Sequence, residues 1–337
     1  MICYKCLQNI DISNITAGVD GDNVNSSSIN TNVQSQPHSS SNPNPKIKHG
    51  LHAECFNEWF KLDDSSQLDF ESLALRTGES SYSDHNMINT SFFAGAFKKY
   101  SARLNSKLYL LKVVMQEYPD LPKIEYICNL IAEHLGLNIP KFYLIRLENN
   151  VDCFVSYNFM QDHVKANLVH IFHFLDNTLS ESREYYNCIN LLNIVKHKTS
   201  SYDDIVQFIE VCLFDALIGN HDRHGRNLGL IQNSKRFILS PFYDNPSYLA
   251  IEDEFLLGAM HEPYGKIATS GNLNPVIKDY IQEFKNLGYE AEVLAFVKKI
   301  NLDLITQIVQ KPFLNIKRQE ALIRLISRRY REALDAI

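Results

Sequence analysis

Between residues 217 and 230 the chain reads L-I-G-N-H-D-R-H-G-R-N-L-G-L. Polar and charged side chains crowd there between an apolar helical pattern and an apolar strand pattern, and loops between rigid elements are where reacting groups collect. Asp222 and Asn227 stand in a D-x-x-x-x-N spacing. Phosphoryl transfer needs such a pair for two separate jobs: the carboxylate accepts the proton of an acceptor hydroxyl, and the amide oxygen holds a magnesium ion. A second metal carboxylate must come from a nearby loop. Asp244, in P-F-Y-D-N-P-S at 241–247, stands just past a hairpin pattern at 228–239. The competing reading is a solvated turn followed by a hairpin; Asp244 in this context tells against it.

The same chemistry requires a lysine for nucleotide phosphates and a glutamate to hold it. Lys112 lies inside the apolar run K-L-Y-L-L-K-V-V-M at 107–115, and Glu125 lies beside the apolar stripe of a following helix. Each has an ordinary alternative, a solvent-facing strand lysine and a first-turn glutamate favoured by the helix dipole. Strand lysine before helix glutamate is nevertheless the order that the ion pair demands. A phosphate-covering loop should precede the lysine strand. Residues 89–99 (N-T-S-F-F-A-G-A-F-K-K) stand in that position with one glycine, Gly95.

The elements that must position these groups fall into zones. Residues 13–45 hold 8 Ser and 7 Asn and no aromatic, Lys or Arg. Such a composition buries too little apolar surface to offset its ordering entropy, and it predicts a disordered insertion. From about residue 49 onward the patterning is globular. Strands are predicted at 107–115, 142–147, 153–159, 228–231 and 236–239. A helix is predicted over 121–135 from apolar residues at 124, 127, 128, 131 and 135, a core helix over 205–217, and three or four helices over 277–334. The fold class is therefore α+β and bilobal: a Cys/His segment at 1–60, a small mixed lobe at 80–160, and a helical lobe at 161–337.

Composition sets outer limits. The chain has 337 residues, 45% of them hydrophobic, with a net charge of −6. That balance argues against coating nucleic acid by bulk charge, and no direct nucleic-acid binding is expected. Seven cysteines are too few for a disulfide scaffold. No signal-peptide pattern opens the chain and no run is long enough to span a membrane, so the expected location is the cytoplasm, with export into another cell left open.

With these residues assembled, the sequence resembles the HipA-like serine/threonine kinases, toxins of bacterial toxin–antitoxin modules. The carriers are G-N-H-D-R-H-G-R-N at 219–227, S-P-F-Y-D-N-P-S at 240–247, K-I-E-Y-I-C-N-L-I-A-E-H-L-G-L-N-I-P at 123–140 and A-G-A at 94–96. It is most similar to the short HipT type, which lacks an N-terminal subdomain supplied by a separate small protein. The resemblance implies a protein-kinase-like fold, ATP with magnesium, and a protein acceptor such as an aminoacyl-tRNA synthetase, whose phosphorylation stops translation. It implies a HipB-like antitoxin and a small HipS-like protein as partners. By position, Asp222 is the catalytic base, Asn227 and Asp244 the metal ligands, and Lys112 the nucleotide lysine. Gly95 and Glu125 join the nucleotide site, and residues 157–160, with Phe159 and Met160, form the adenine hinge. His224 matches a family histidine that supports the loop. Arg226 stands where many members have lysine. The family's regulatory serine falls at Phe92 when counted back from A-G-A, so autophosphorylation is expected at Ser91, or second at Thr90.

A second constellation lies at the N-terminus. Cys3-x-x-Cys6 and His52-x-x-Cys55 have zinc-knuckle spacing within each pair, and some short HipA-related proteins begin with a similar frame. The alternative is two reduced thiols plus a core histidine and cysteine. Cys128, Cys153, Cys188 and Cys212 sit in apolar contexts and read as core. Lys317, Arg318, Arg324, Arg328, Arg329 and Arg331 crowd the final helix, where a solvated face is the first expectation and a docking patch the second. Other functions stay open: a lipid kinase of the same fold, a metal-dependent phosphohydrolase using His221, Asp222 and His224, or a non-catalytic binding module.

Overall fold

The computed structural model describes residues 1–10, 47–63, 68–76, 97–114, 117–147, 150–175, 184–234 and 236–337. The whole Ser/Asn-rich segment 13–45, and Thr90, Ser91 and Gly95, lie outside them.

The first two named strands form a short hairpin: β1 (Ile47–Lys48) pairs with β2 (Leu51–His52), and α1 (Ala53–Phe60) follows directly. Then come β3 (Glu71–Arg76), β4 (Phe97–Leu104) and β5 (Lys107–Val114). Next are α2 (Leu121–His134), β6 (Phe142–Leu147) and β7 (Val151–Tyr157). Five of these strands make one antiparallel sheet in the order β3-β4-β5-β7-β6. Period-two alternation sends successive side chains to opposite faces. One face carries Tyr109 and Tyr143, which pack on Phe60 of α1 at 5.5 and 4.4 Å between ring centroids. The other carries Lys112, Phe154 and Asp152, and faces α2.

The sequence reading of α2 and β6 agrees with the observed spans. The strand expected over 153–159 begins earlier, at Val151, and stops at Tyr157. Asn158 then caps a 3-10 turn over Phe159–Asp162, its side chain accepting from the Met160 N–H at 3.1 Å. A capping asparagine offers the backbone an alternative to the ladder, which is why the strand ends there.

Strand β8 (Ala166–His170) follows, then α3 (Cys188–Thr199) and α4 (Tyr202–Ile218). Strands β9 (Gly229–Asn233) and β10 (Arg236–Leu239) complete a second antiparallel sheet in the order β10-β9-β8. Four helices close the chain: α5 (Ile277–Asn286), α6 (Glu290–Lys299), α7 (Leu302–Val309) and α8 (Ile316–Ala336). Helix α4 is the axis of this half. Its Ser201 cap accepts from the Asp204 N–H at 3.2 Å, Asp203 and Asp204 sit in the first turn, and all but a few of its residues are buried.

Cys128, Cys153, Cys188 and Cys212 are buried. The basic run on α8 departs from a solvated face. Arg318 and Arg329 are buried, and Arg324 and Arg328 also turn toward the irregular segment 249–263. Arg318 donates to the carbonyls of Leu249 and Glu252, Arg324 to Leu257, Arg328 to His261 and Arg329 to Pro263. A segment without ladder partners leaves its carbonyls to be satisfied by side chains, and guanidinium groups do it here. Lys317, Arg324 and Arg331 are exposed. Among the described residues no helix is long and apolar enough to cross a membrane.

Candidate active site

The loop after α4 is shaped by its first residue. Gly219 ends the helix in the left-handed region at φ 71°, with its N–H bonded to the Asp215 carbonyl. Asn220 then returns its side chain to Asp215 Oδ1 at 2.9 Å and accepts the Asp222 N–H at 3.0 Å. The His224 N–H bonds the Asp222 carbonyl, and the Asn227 N–H bonds the His224 carbonyl. Asn227 Nδ2 donates to the Asp222 carbonyl at 3.0 Å, which ties the two ends of the D-x-x-x-x-N spacing across the loop.

Arg223 holds this loop to its surroundings. Its guanidinium donates to Asp215 through Nε and Nη2, at 2.7 and 2.9 Å. It also donates to the carbonyls of Asn227 and Tyr243 and to Asn245 Oδ1. Asn245 in turn donates to Asn129 of α2 at 3.0 Å. The loop after α4 and the acidic loop therefore meet at one buried cation, and α2 joins them through Asn245. Asp215, Arg223, Asn245, Asn220 and Asn129 form a network that the sequence reading did not identify. One signal was present: Asp215 is a carboxylate set among the apolar residues 211–218 of a core helix, a position that demands a buried cation as partner.

The acidic loop places Asp244 at φ 56°, and Lys112 reaches it from β5. The Lys112 ammonium contacts Asp244 Oδ1 and Glu125 Oε1 together, while Lys99 Nζ stands 3.7 Å from Asp244 Oδ2. Phe97 and Phe154 flank the ammonium, with ring centroids at 5.4 and 5.5 Å. Neither Lys112 nor Glu125 has its ordinary alternative environment; both are buried. Burial alone would lower the Lys112 pKa, but Asp244 and Glu125 outweigh it and hold the group above the usual lysine value. Burial would likewise raise the Asp244 carboxyl, yet Lys112 and Lys99 hold it well below the usual range. Glu125 goes the other way, because burial exceeds the pull of Lys112. The site is thus a lysine charge matched mainly by an ionised Asp244.

Phe159 and Met160 stand at the end of β7. Phe159 stacks on Tyr243, the neighbour of Asp244, at 6.0 Å and 27°, and Gln161 bonds both backbone groups of Leu108, fastening this turn to the start of β5. His224 accepts the Arg226 N–H on Nδ1. Burial carries its pKa down to about 3, so it is a neutral structural imidazole at working pH. The structure thus brings Lys112, Glu125 and Asp244 into contact and links Asn227 and the backbone of Asp222 to them through Arg223. Gly95, Ser91 and Thr90 lie outside the described residues.

Cys3, Cys6, His52 and Cys55 converge elsewhere, with one donor atom from each lying within 4.8 Å of the others. His52 and Cys55 are only partly buried and Cys6 is exposed, so this cluster is not a patch of core.

Comparison with known proteins bears on the family and the fold. The model of the HipA-like C-terminal domain matches residues 91–308. The fold resembles the proinflammatory kinase CtkA of Helicobacter pylori, with a TM-score of 0.58 and 21% identity over 71% of this chain and 89% of that one. It also resembles HipA of Shewanella oneidensis MR-1, solved with HipB and its operator DNA, with a TM-score of 0.50 and 14% identity over 89% of this chain and 74% of that one. No curated protein matches. At these identities the structural likeness speaks for a bilobal, kinase-like fold, and the family match covers well over half of the sequence: the chain belongs to the HipA-like C-terminal domain family.

Proposed function

We propose that the protein is an ATP- and magnesium-dependent serine/threonine protein kinase of the HipA/HipT toxin type. The observation that carries the reading is Lys112 held between Glu125 and Asp244 beside a loop with Asp222 and Asn227. The donors suit magnesium: a hard, ionised carboxylate on Asp244 and an amide oxygen on Asn227, whose nitrogen is already used by the Asp222 carbonyl. When bound, magnesium neutralises charge on the transferring phosphate. Lys112 pairs with phosphate oxygens, and Glu125 orients it. Asp222 accepts the proton of the acceptor hydroxyl. Gly95 covers the phosphates, and Phe159 and Met160 meet adenine.

An aminoacyl-tRNA synthetase is the proposed acceptor, with a HipB-like antitoxin and a small HipS-like protein as partners in the bacterial cytoplasm. The HipB complex of the Shewanella oneidensis relative supports the first partner. Autophosphorylation is proposed at Ser91, with Thr90 second. Its added negative charge would sit against the nucleotide phosphates and lower nucleotide affinity. A structural zinc ion in the cluster of Cys3, Cys6, His52 and Cys55 completes the reading, since thiolates and imidazole are its preferred donors.

The deciding experiment incubates the protein with labelled ATP, magnesium and a bacterial lysate. Asp222→Asn and Asp244→Asn should each abolish transfer to protein while leaving the fold intact, and phosphopeptide mapping then identifies the acceptor. Transfer retained by both variants overturns the kinase reading.

A further inference from the structure

The N-terminal cluster lies away from the phosphoryl-transfer site, yet both of its halves lead to the same side chain of α2. His52 and Cys55 open α1, whose Trp59 ring stands 6.4 Å from Tyr126. Tyr4, between Cys3 and Cys6, packs edge-on against Phe313 at 5.7 Å, and Phe313 packs edge-on against Tyr126 at 5.3 Å. Tyr126 is the residue after Glu125. A polar route runs in parallel. The Tyr4 hydroxyl donates to Asp152 Oδ1 at 2.5 Å, and Lys123 of α2 pairs with Asp152 Oδ2 at 3.0 Å. Arg146 covers the Tyr4 ring at 4.7 Å and bonds Asp152 at 3.0 Å. Tyr4 is therefore wedged between β7, the helical half and α2.

Residues 1–10 contain neither a strand nor a helix. A turn closed by the Leu7 N–H on the Cys3 carbonyl, backbone bonds from Cys3 to Gln8 and from Ile10 to Met1, one isolated bridge between Ile2 and Asn9, and the burial of Cys3, Tyr4 and Ile10 hold them. The ion pair between Lys5 and Glu58 has an exposed partner and contributes little. The four donors stand ready for a stronger tie. Cys6 Sγ and Cys55 Sγ lie 3.4 and 3.9 Å from His52 Nδ1. A tetrahedral zinc site has donor–donor edges of about 3.5 to 3.8 Å, so closure on the metal needs little movement. Three thiols and an imidazole, with no hard oxygen, select zinc over magnesium or calcium.

We propose that zinc at Cys3, Cys6, His52 and Cys55 braces α2 and so sets how firmly Glu125 meets Lys112, making phosphoryl transfer depend on a metal outside the reaction site. Bound zinc fastens the Tyr4 turn to α1. Tyr4 and Trp59 then confine Tyr126, and Asp152 holds Lys123. Loss of the metal frees the ten-residue turn, withdraws Tyr4 from Asp152 and Phe313, and loosens the helix face beside Glu125. The dependence on catalysis rests on the kinase reading; the brace itself does not.

The test uses the full chain and three readouts: zinc content, hydrogen exchange of the α2 amides, and phosphate transfer from ATP. The as-purified protein should carry about one zinc per chain. Cys6→Ser, at an exposed ligand, should lose the metal, speed exchange in α2 and lower transfer severalfold, while amides of α4 stay protected. Tyr4→Phe keeps all four ligands and removes only the hydroxyl that donates to Asp152 and accepts from Arg146. It should retain zinc yet still speed α2 exchange and reduce transfer, and it decides the matter if Cys6→Ser fails to fold. Metal-free wild-type protein overturns the proposal, as does unchanged α2 exchange in both variants. If the wild type transfers no phosphate, the kinase reading fails separately, and zinc content with α2 exchange still decides the brace.

Discussion

Arg223 and Asp215 are joined by two hydrogen bonds, 2.7 Å from Nε to Oδ2 and 2.9 Å from Nη2 to Oδ1, where both side chains are almost wholly removed from solvent. Removing one charge of such a pair strands the other in a low-dielectric interior, at a cost of about 3–5 kcal/mol. Asp215→Asn should therefore lower unfolding stability by roughly that amount, and phosphate transfer should fall with it because Arg223 also holds Asn227 and Asn245. Urea denaturation gives the stability directly. A loss below about 1 kcal/mol would show that the carbonyls around Arg223 suffice to hold its charge.

Lys112→Met leaves two buried carboxylates without their shared cation. Nucleotide binding should disappear in calorimetry. Stability should also acquire a pH signature. Without Lys112 to lower it, the Glu125 pKa rises further above its unfolded value, so the folded state binds the extra proton. That contribution is present at low pH and is lost as pH rises through the folded pKa. The gap in stability between wild type and variant should narrow on acidification from pH 7 to pH 5. A gap constant over that range counts against the coupling.

His221 packs against Tyr248 and Tyr264, at 5.4 and 6.3 Å between ring centroids. Burial, with a smaller push from Lys266, carries its pKa down to about 4. An unfolded histidine titrates near about 6.5, so between these values the unfolded chain binds the proton that the folded protein refuses. The contribution is present above pH 6.5 and is lost as pH falls through 4. Denaturation midpoints of the wild type should decline across that window, and His221→Gln should flatten the decline. Parallel profiles would mean that the imidazole is solvated.

Gly219→Ala tests the turn that launches the loop of Asp222 and Asn227. The backbone there has positive φ, and a Cβ would come within 2.8 Å of Leu325 Cδ2 and of Pro263 Cγ. The conformation alone costs about 1–2 kcal/mol for an L-residue. We expect a loss at the upper end of that range or beyond, with transfer reduced because the register of Asp222 is set from Gly219. A thermal midpoint equal to that of the wild type would contradict this.

What the sequence made legible were the patterns that are periodic or local. Strand β5, helix α2, strand β6 and the β9–β10 hairpin announce themselves by apolar spacing within a few residues, and Lys112 and Glu125 could be placed because their order along two such elements is itself the signal. The arginine hub was illegible for a different reason. Asp215 and Arg223 lie on different elements, and Arg223 meets Asn245 across 22 positions and Asn245 meets Asn129 across 116. Nothing in a one-dimensional pattern specifies which distant carbonyl a guanidinium will find. The same holds for α8: a run of basic residues signals solvent only until another segment, here 249–263, offers unpaired carbonyls.

The contact between Lys112 and Asp244 has a kinetic corollary under the kinase reading. The carboxylate oxygen that a divalent cation would seek is already neutralised by a lysine, so a bare cation must compete with a covalently tethered ammonium at high local concentration. Nucleotide phosphates change the contest by giving that ammonium another anion to hold. Metal and nucleotide should therefore load as a pair rather than in independent steps, and the empty protein should show far weaker affinity for magnesium than the protein saturated with nucleotide.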